Sequence, residues 1–255
     1  MTVDGVDAMM LAGKSAVVTG GGSGVGAAIA LRLAEAGAEV TICGRREGPL
    51  EAMTARHNRL RAVVCDITDE AGVAALMTGA RPDIVVANAG ASESAAFTRT
   101  ELDAFQRMLD VNLTGTFLTL REGARAMQDK RWGRLIAVAS TAGLKGYAYV
   151  APYAAAKHGV VGMVKSVALE FARKGITANA LCPGFLDTEM TARSIATIVE
   201  KTGRSADEAR ATLEATNPML RLVPPGDVAE AAIWLCGPGS DMVTGQAISI
   251  SGGET

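Results

Sequence analysis

Aromatic residues are scarce in this 255-residue sequence, 4% in all, and histidine occurs only as His57 and His158. The four cysteines, Cys43, Cys65, Cys182 and Cys236, stand far apart, with no C-x-x-C spacing and too few histidines to complete a ligand set. This argues against a zinc site or a disulfide framework and for reduced, mostly buried thiols in a cytoplasmic protein. An excess of charge of either sign is also lacking: 25 basic and 27 acidic residues leave a formal net charge of −2. No basic stripe is present to follow a nucleic-acid backbone or to coat an anionic membrane. No run reaches the roughly 18 apolar residues that a membrane-spanning helix needs. The opening "MTVDGVDAMMLAGK" has two acids and no basic stretch before an apolar one, which argues against a secretory signal.

What is present is apolar and glycine-rich, with 49% hydrophobic residues and 29 glycines, and the length suits a single α/β domain around one large core. Short β-branched runs alternate with longer helical patterns, which predicts βαβ units and a mostly parallel, doubly wound sheet with helices on both faces. Seven strands are expected, at 15–19, 39–43, 61–65, 83–87, 134–139, 177–182 and 247–250. Val25, Ile29 and Leu33 repeat at i, i+4 and i+8, marking the first crossover helix. Longer helical patterns run over 99–128 and 151–173, the second with Pro152 in its first turn. Both are apolar for surface helices, which suggests burial against a partner subunit. The region 183–225 breaks the alternation, and its polar, amphipathic stretch at about 186–217 is expected to be a small helical lid over the carboxyl edge of the sheet. No internal repeat or linker divides the chain.

The first strand runs into "TGGGSGVG", residues 19–26. Gly20, Gly21, Gly22, Gly24 and Gly26 let the backbone turn sharply and approach a pyrophosphate, which then meets the unpaired N–H groups of a helix N-terminus. A tight βα turn without a ligand is the competing account of such a cluster. The residue that would meet the adenosine ribose lies about 20 residues further on. There the sequence reads "ICGRRE", so Arg45 and Arg46 stand where an aspartate would hydrogen-bond a 2′-hydroxyl. Arginine clamps a 2′-phosphate with charge-assisted bonds, which favours NADP(H) over NAD(H); two solvated loop arginines are the alternative.

In "YVAPYAAAKHG", residues 149–159, helical geometry puts Tyr153 and Lys157 on one face. Tyr149 is expected to precede the helix, because Pro152 disfavours helical geometry at Ala151, and His158 points off that face. A nearby ammonium favours the phenolate, so Lys157 can bring the tyrosine, ordinarily titrating near pH 10, into the range of a proton donor and acceptor.

These residues give the chain a resemblance, over about residues 12–253, to the short-chain dehydrogenase/reductase family, especially its 3-oxoacyl reductase and 3-hydroxyacyl-CoA dehydrogenase-like members. The turn fits the family's T-G-x-x-x-G-x-G, and Asn112, Ser140, Tyr153 and Lys157 match its catalytic tetrad in order and spacing. The resemblance implies a Rossmann-type fold and an NAD(P)-dependent oxidoreductase interconverting ketone and secondary alcohol. Tyr153 would exchange the proton, Ser140 would hold the substrate oxygen, Lys157 would bind the ribose and lower the tyrosine pKa, and Asn112 would hold a water in a relay. The implied cofactor surface comprises Thr19, Gly20, Gly22, Ser23, Gly24, Val25 and Gly26, with Asp66 at the adenine and Ile67 beside it. It continues with Asn88, Ala89 and Gly90 of "ANAG", where Ala87 replaces the family's first asparagine, and with Pro183, Gly184, Phe185 and Thr188 of "PGFLDT". NADP-preferring relatives often carry a basic residue in the glycine turn, where this chain has Ser23. The family also implies self-association as a dimer or tetramer.

Substrate identity is less determined. Overall similarity and the lid-like stretch favour 3-oxoacyl or 3-hydroxyacyl thioesters. The same chemistry on a cyclic, polyol, steroid or aromatic ketone or alcohol is the alternative, with Leu144, Tyr147, Phe185 and Met190 available to line an apolar pocket beside Ser140 and Tyr153. A non-catalytic dinucleotide-binding sensor would be expected to lack the tyrosine or the lysine, and both are present.

Overall fold

Apolar, β-branched runs supply seven strands: β1 (Ser15–Thr19), β2 (Glu39–Gly44), β3 (Leu60–Val64), β4 (Ile84–Ala87), β5 (Gly133–Val138), β6 (Ile176–Pro183) and β7 (Ala247–Ile250). The computed structural model describes residues 9–255. The strands form one sheet in the order β3-β2-β1-β4-β5-β6-β7, every pairing parallel. Register is set at its centre by Val18, which lies opposite Ile42 on one side and Val86 on the other. Both faces of β4, β5 and β6 are buried, which is why these strands are mostly apolar, with Arg134, Thr177 and Asn179 as their polar exceptions.

Helices cover the two faces. α1 (Gly24–Glu35), α2 (Glu47–Thr54) and α9 (Pro225–Cys236) pack Ile29, Leu33, Leu50, Val228 and Ala232 into one core. The other core takes Val73 and Met77 from α3 (Glu70–Ala80), Leu120 and Met127 from α5 (Gly115–Met127), and Val160 and Val164 from α6 (Ala151–Phe171). Each fully buried Leu or Ile of these stripes contributes on the order of 1.5–3 kcal/mol.

The long helical pattern at 99–128 is not one helix. It divides into α4 (Leu102–Leu109), a π-helical turn over Asp110–Thr114, and α5. Asn112 accounts for the break, because its side-chain amide donates to the Met108 carbonyl four residues back, at 3.0 Å, and competes for the acceptor that a regular ladder would use. The pattern at 151–173 ends two residues early, in a 3₁₀ turn closed by Gly175 at φ +71°. The stretch expected at 186–217 holds two helices, α7 (Glu189–Thr202) and α8 (Ala206–Glu214), the latter started by a capping box of Ser205 and Glu208. Chain reversal between β1 and β4 opens a crevice at the carboxyl edge of the sheet, the place where such sheets receive ligands.

Candidate active site

Glycine shapes the first wall of that crevice. Gly20 has φ +66°, and a Cβ on Gly26 would lie 2.3 Å from the Gly20 carbonyl oxygen, so the turn closes only without side chains. Ser23, at the N-cap of α1, makes no side-chain cap bond, which leaves the first N–H groups of the helix facing the crevice. Thr188, which starts α7, likewise makes none, and its methyl lies 3.5 Å from where a Gly24 Cβ would be. The turn and the segment after β6 therefore border one space, and an anionic pyrophosphate fits this donor-rich, side-chain-free cradle.

Three of the expected cofactor contacts have another job for their side chains. The hydroxyl of Thr19 is buried and accepts from the N–H groups of Asn88 and Ala89 at 3.0 and 3.1 Å. The Asn88 amide donates to the Thr19 carbonyl at 2.9 Å, so Thr19 and Asn88 brace the glycine turn from behind instead of presenting their side chains to a ligand. Val25 is buried in the core. The motif "ANAG" is thus coupled to the turn through the sheet, from β4 to β1.

At the far end of the crevice Arg45 and Arg46 are exposed just after β2, and among the described residues neither has a hydrogen-bond or ion-pair partner. Asp66 lies two residues beyond β3, past the strand end expected for it. It accepts from the backbone N–H of Thr68 at 3.0 Å and from the Thr68 hydroxyl at 2.8 Å, and these bonds hold its carboxyl below the ordinary range. Ile67 is buried against Gly115, where a Cβ would come within 2.5 Å of it.

The four residues of the tetrad come from two elements, the π turn and α6, and from the loop after β5. Ser140 stands just past β5, accepts from the Ala142 N–H at 3.1 Å, and lies near enough to the phenol of Tyr153 on α6 to favour its ionised form. Burial pushes the Tyr153 phenol up from its ordinary pKa, and the nearby Ser140 hydroxyl opposes that shift. Lys157 is buried, donates to the Val138 carbonyl at 2.9 Å, and lies 5.6 Å from the centroid of the Tyr153 ring. The lysine is itself pushed down by burial, to about 8, with its Nζ turned toward a backbone carbonyl. Asn112 is buried in the π turn, with its oxygen accepting from Ala91 N–H at 3.2 Å and its amide donating to Ala91 and Met108 carbonyls. Gly90 fills the gap between these two residues, since a Cβ there would stand 2.7 Å from the Asn112 oxygen and 3.7 Å from the Lys157 nitrogen. His158 is exposed and its Nδ1 pairs with the Ala154 carbonyl. Tyr149 precedes the helix, exposed and at φ +68°.

Beyond Tyr153 the crevice is bounded by Tyr147 and Phe185, whose rings meet edge-to-face with centroids 6.0 Å apart. Leu144 and Met190 are 37% and 45% exposed, at the rim. The residues that hold Tyr147 were not singled out in the sequence: Thr141, Lys145 and Glu254, the last 107 positions away. No local spacing signals such a contact, because it joins the segment after β5 to the segment after β7.

The family described as short chain dehydrogenase matches residues 14–198. A Streptomyces coelicolor protein named as a ketoacyl reductase is 38% identical over 250 residues, covering 93% of this chain and 95% of its own. The cis-4-hydroxycyclohexanecarboxylate dehydrogenase of Sinomonas cyclohexanicum is 38% identical over 251 residues, covering 95% and 96%. Among solved structures, a variant of actinorhodin polyketide ketoreductase determined with NADPH superposes with a TM-score of 0.91 at 35% identity, covering 94% of this chain and 97% of that one. With its fully parallel seven-stranded sheet, the chain belongs to the short-chain dehydrogenase family of oxidoreductases, which interconvert C=O and CH–OH groups.

Proposed function

We propose that the chain is an NADP(H)-dependent reductase of 3-oxoacyl thioesters, working in the cytoplasm as a single-domain subunit of a dimer or tetramer. The observation that carries the reading is the placement of Ser140 beside the Tyr153 phenol, between the glycine cradle and the aromatic wall of Tyr147 and Phe185. Ser140 and Tyr153 hold the ketone oxygen, and Tyr153 gives it a proton as the carbonyl carbon becomes tetrahedral. The nicotinamide, when bound, supplies the hydride. Lys157, buried and able to lose its proton near neutral pH, holds the ribose side of the dinucleotide and returns a proton to the tyrosine, with the backbone around Asn112 lining the relay. Exposed Arg45 and Arg46 favour a 2′-phosphate, Asp66 receives the adenine, and Gly184 with Thr188 flank the nicotinamide.

Relatives named for ketoacyl and 3-oxoacyl-(acyl-carrier-protein) reduction support the thioester, the second kind at 33% identity in Rickettsia bellii. The Sinomonas relative, at the same 38% identity as the Streptomyces one, keeps a cyclic secondary alcohol as the second reading. Phe117 on α5 and Leu169 on α6, 41% and 83% exposed, support self-association through those helices. A substrate panel decides between the two readings: oxidation of NADPH by acetoacetyl-CoA, with little reaction of cyclohexanones, is expected. The reverse order of rates assigns the cyclic class.

A further inference from the structure

The segment 251–255 folds back over the end of β6 and places a carboxylate behind the substrate wall. Its path is constrained: Gly252 and Gly253 have φ +61° and +94°, a Cβ on Gly252 would lie 2.0 Å from the Asn217 amide oxygen, and Ser249 Oγ meets Thr255 Oγ1 at 2.6 Å. The Glu254 side chain is 1% exposed. Its Oε1 accepts from the Tyr147 hydroxyl at 2.5 Å and pairs with Lys145 Nζ at 3.0 Å. Its Oε2 is buried with no hydrogen-bond partner among the described residues, packed over the bare Cα of Gly184, where a Cβ would approach it to 3.1 Å. An unpaired buried carboxylate oxygen is a departure from the usual satisfaction of polar groups, and such departures concentrate where function requires them.

The consequence for Tyr147 follows from counting hydrogens. A phenol has one to donate, and that one goes to Glu254; the 2.6 Å contact with Thr141 is then Thr141 donating to the phenol oxygen. Tyr147 therefore shows the crevice its ring and no donor, with that ring set against Phe185. Burial and then the Glu254 carboxylate push its ionisation up, so the hydroxyl keeps its proton at physiological pH.

We propose that Glu254 is a positioning residue that sets substrate specificity: by holding the Tyr147 hydroxyl it makes this wall of the pocket apolar, so the substrate part lying there is an alkyl chain without hydroxyl or carboxylate groups. The inference rests on the reductase reading above and names the substrate class more narrowly.

The test compares kcat/KM for the N-acetylcysteamine thioesters of 3-oxohexanoic acid and of 6-hydroxy-3-oxohexanoic acid, with NADPH. Wild type is expected to favour the alkyl compound by about tenfold. Glu254→Ala frees the Tyr147 hydroxyl to face the pocket and should lower that ratio at least about fivefold, mainly through KM. Glu254→Gln, whose amide oxygen accepts the same hydrogen, should keep it within about twofold. In a Tyr147→Phe background there is no hydroxyl to release, and Glu254→Ala should then change the ratio less than about twofold. If Glu254→Ala does not fold, Glu254→Leu carries the same expectations. An unchanged ratio in Glu254→Ala, or an equal effect with and without the Tyr147 hydroxyl, overturns the inference while leaving the reductase reading intact. Failure of the wild type to reduce either thioester while it binds NADPH overturns the reductase reading, and the inference with it.

Discussion

The two ends of the crevice are built from different materials. Around β1 the surface is backbone: glycines that exclude side chains, an uncapped helix start, and a brace of Thr19 and Asn88 hidden behind the turn. Around β5 to β7 it is made of side chains that meet from distant segments: Ser140 and Thr141 after β5, Tyr147 and Tyr153 about α6, Phe185 after β6, and Glu254 after β7. A phosphate is recognised by the same N–H geometry whatever carries it, so the first end is tied to shape, whereas the second is free to vary with each substrate.

The sharpest way to break the contrast is to put a side chain where the backbone must be bare. Gly26→Ala drives a Cβ into the Gly20 carbonyl, and dinucleotide affinity is expected to fall by more than about 100-fold, with about 1–3 kcal/mol of stability lost. Calorimetric titration with NADPH and thermal unfolding measure both. Affinity within about twofold of wild type would show that the turn has room this account denies it.

Arg45→Ala probes a side chain at the edge of the first end. Loss of a charge-assisted bond to a 2′-phosphate predicts about 10- to 100-fold weaker NADPH binding and unchanged NADH binding. Equal weakening of both would remove the case for NADP(H).

Smaller in effect is the pH dependence at Lys157. Its pKa falls from 10.5 in the unfolded chain to about 8 in the fold, so between these values the unfolded state binds more protons and stability without cofactor rises with pH. The gain is at most about 1.4 kcal/mol per pH unit across that window. Lys157→Met removes the slope, and denaturant titrations of both proteins at pH 7, 8.5 and 10 read the difference. Parallel curves would mean that the ammonium is not desolvated as the structure has it.

The same contrast governs what could be read before the fold was known. Strand positions, the fold class and the glycine turn depend on patterns within a dozen residues, and the seven strands reappear in the sheet with no end shifted by more than one position. The Tyr153–Lys157 spacing survives because four residues on a helix always share a face. The π turn escaped, because Asn112 alters helix geometry through a side-chain bond that no periodicity reveals. The orientation of the Lys157 ammonium escaped too, since it is set by the Val138 carbonyl, 19 residues upstream on β5. The bracing role of the Thr19 and Asn88 side chains escaped as well, since it joins β1 to β4 across 69 residues. Glu254 lay outside any motif, and only the meeting of β5, β6 and β7 at one edge brings it to Tyr147.

The central claim is that Tyr153, beside Ser140, gives the proton to a ketone oxygen at the meeting point of the two ends. It is tested most directly by the rate of NADPH oxidation with acetoacetyl-CoA in Tyr153→Phe against wild type, with NADPH affinity measured alongside. A fall in kcat of about 100- to 10,000-fold, with that affinity within about threefold, is the predicted result. Undiminished turnover in the phenylalanine variant would contradict it.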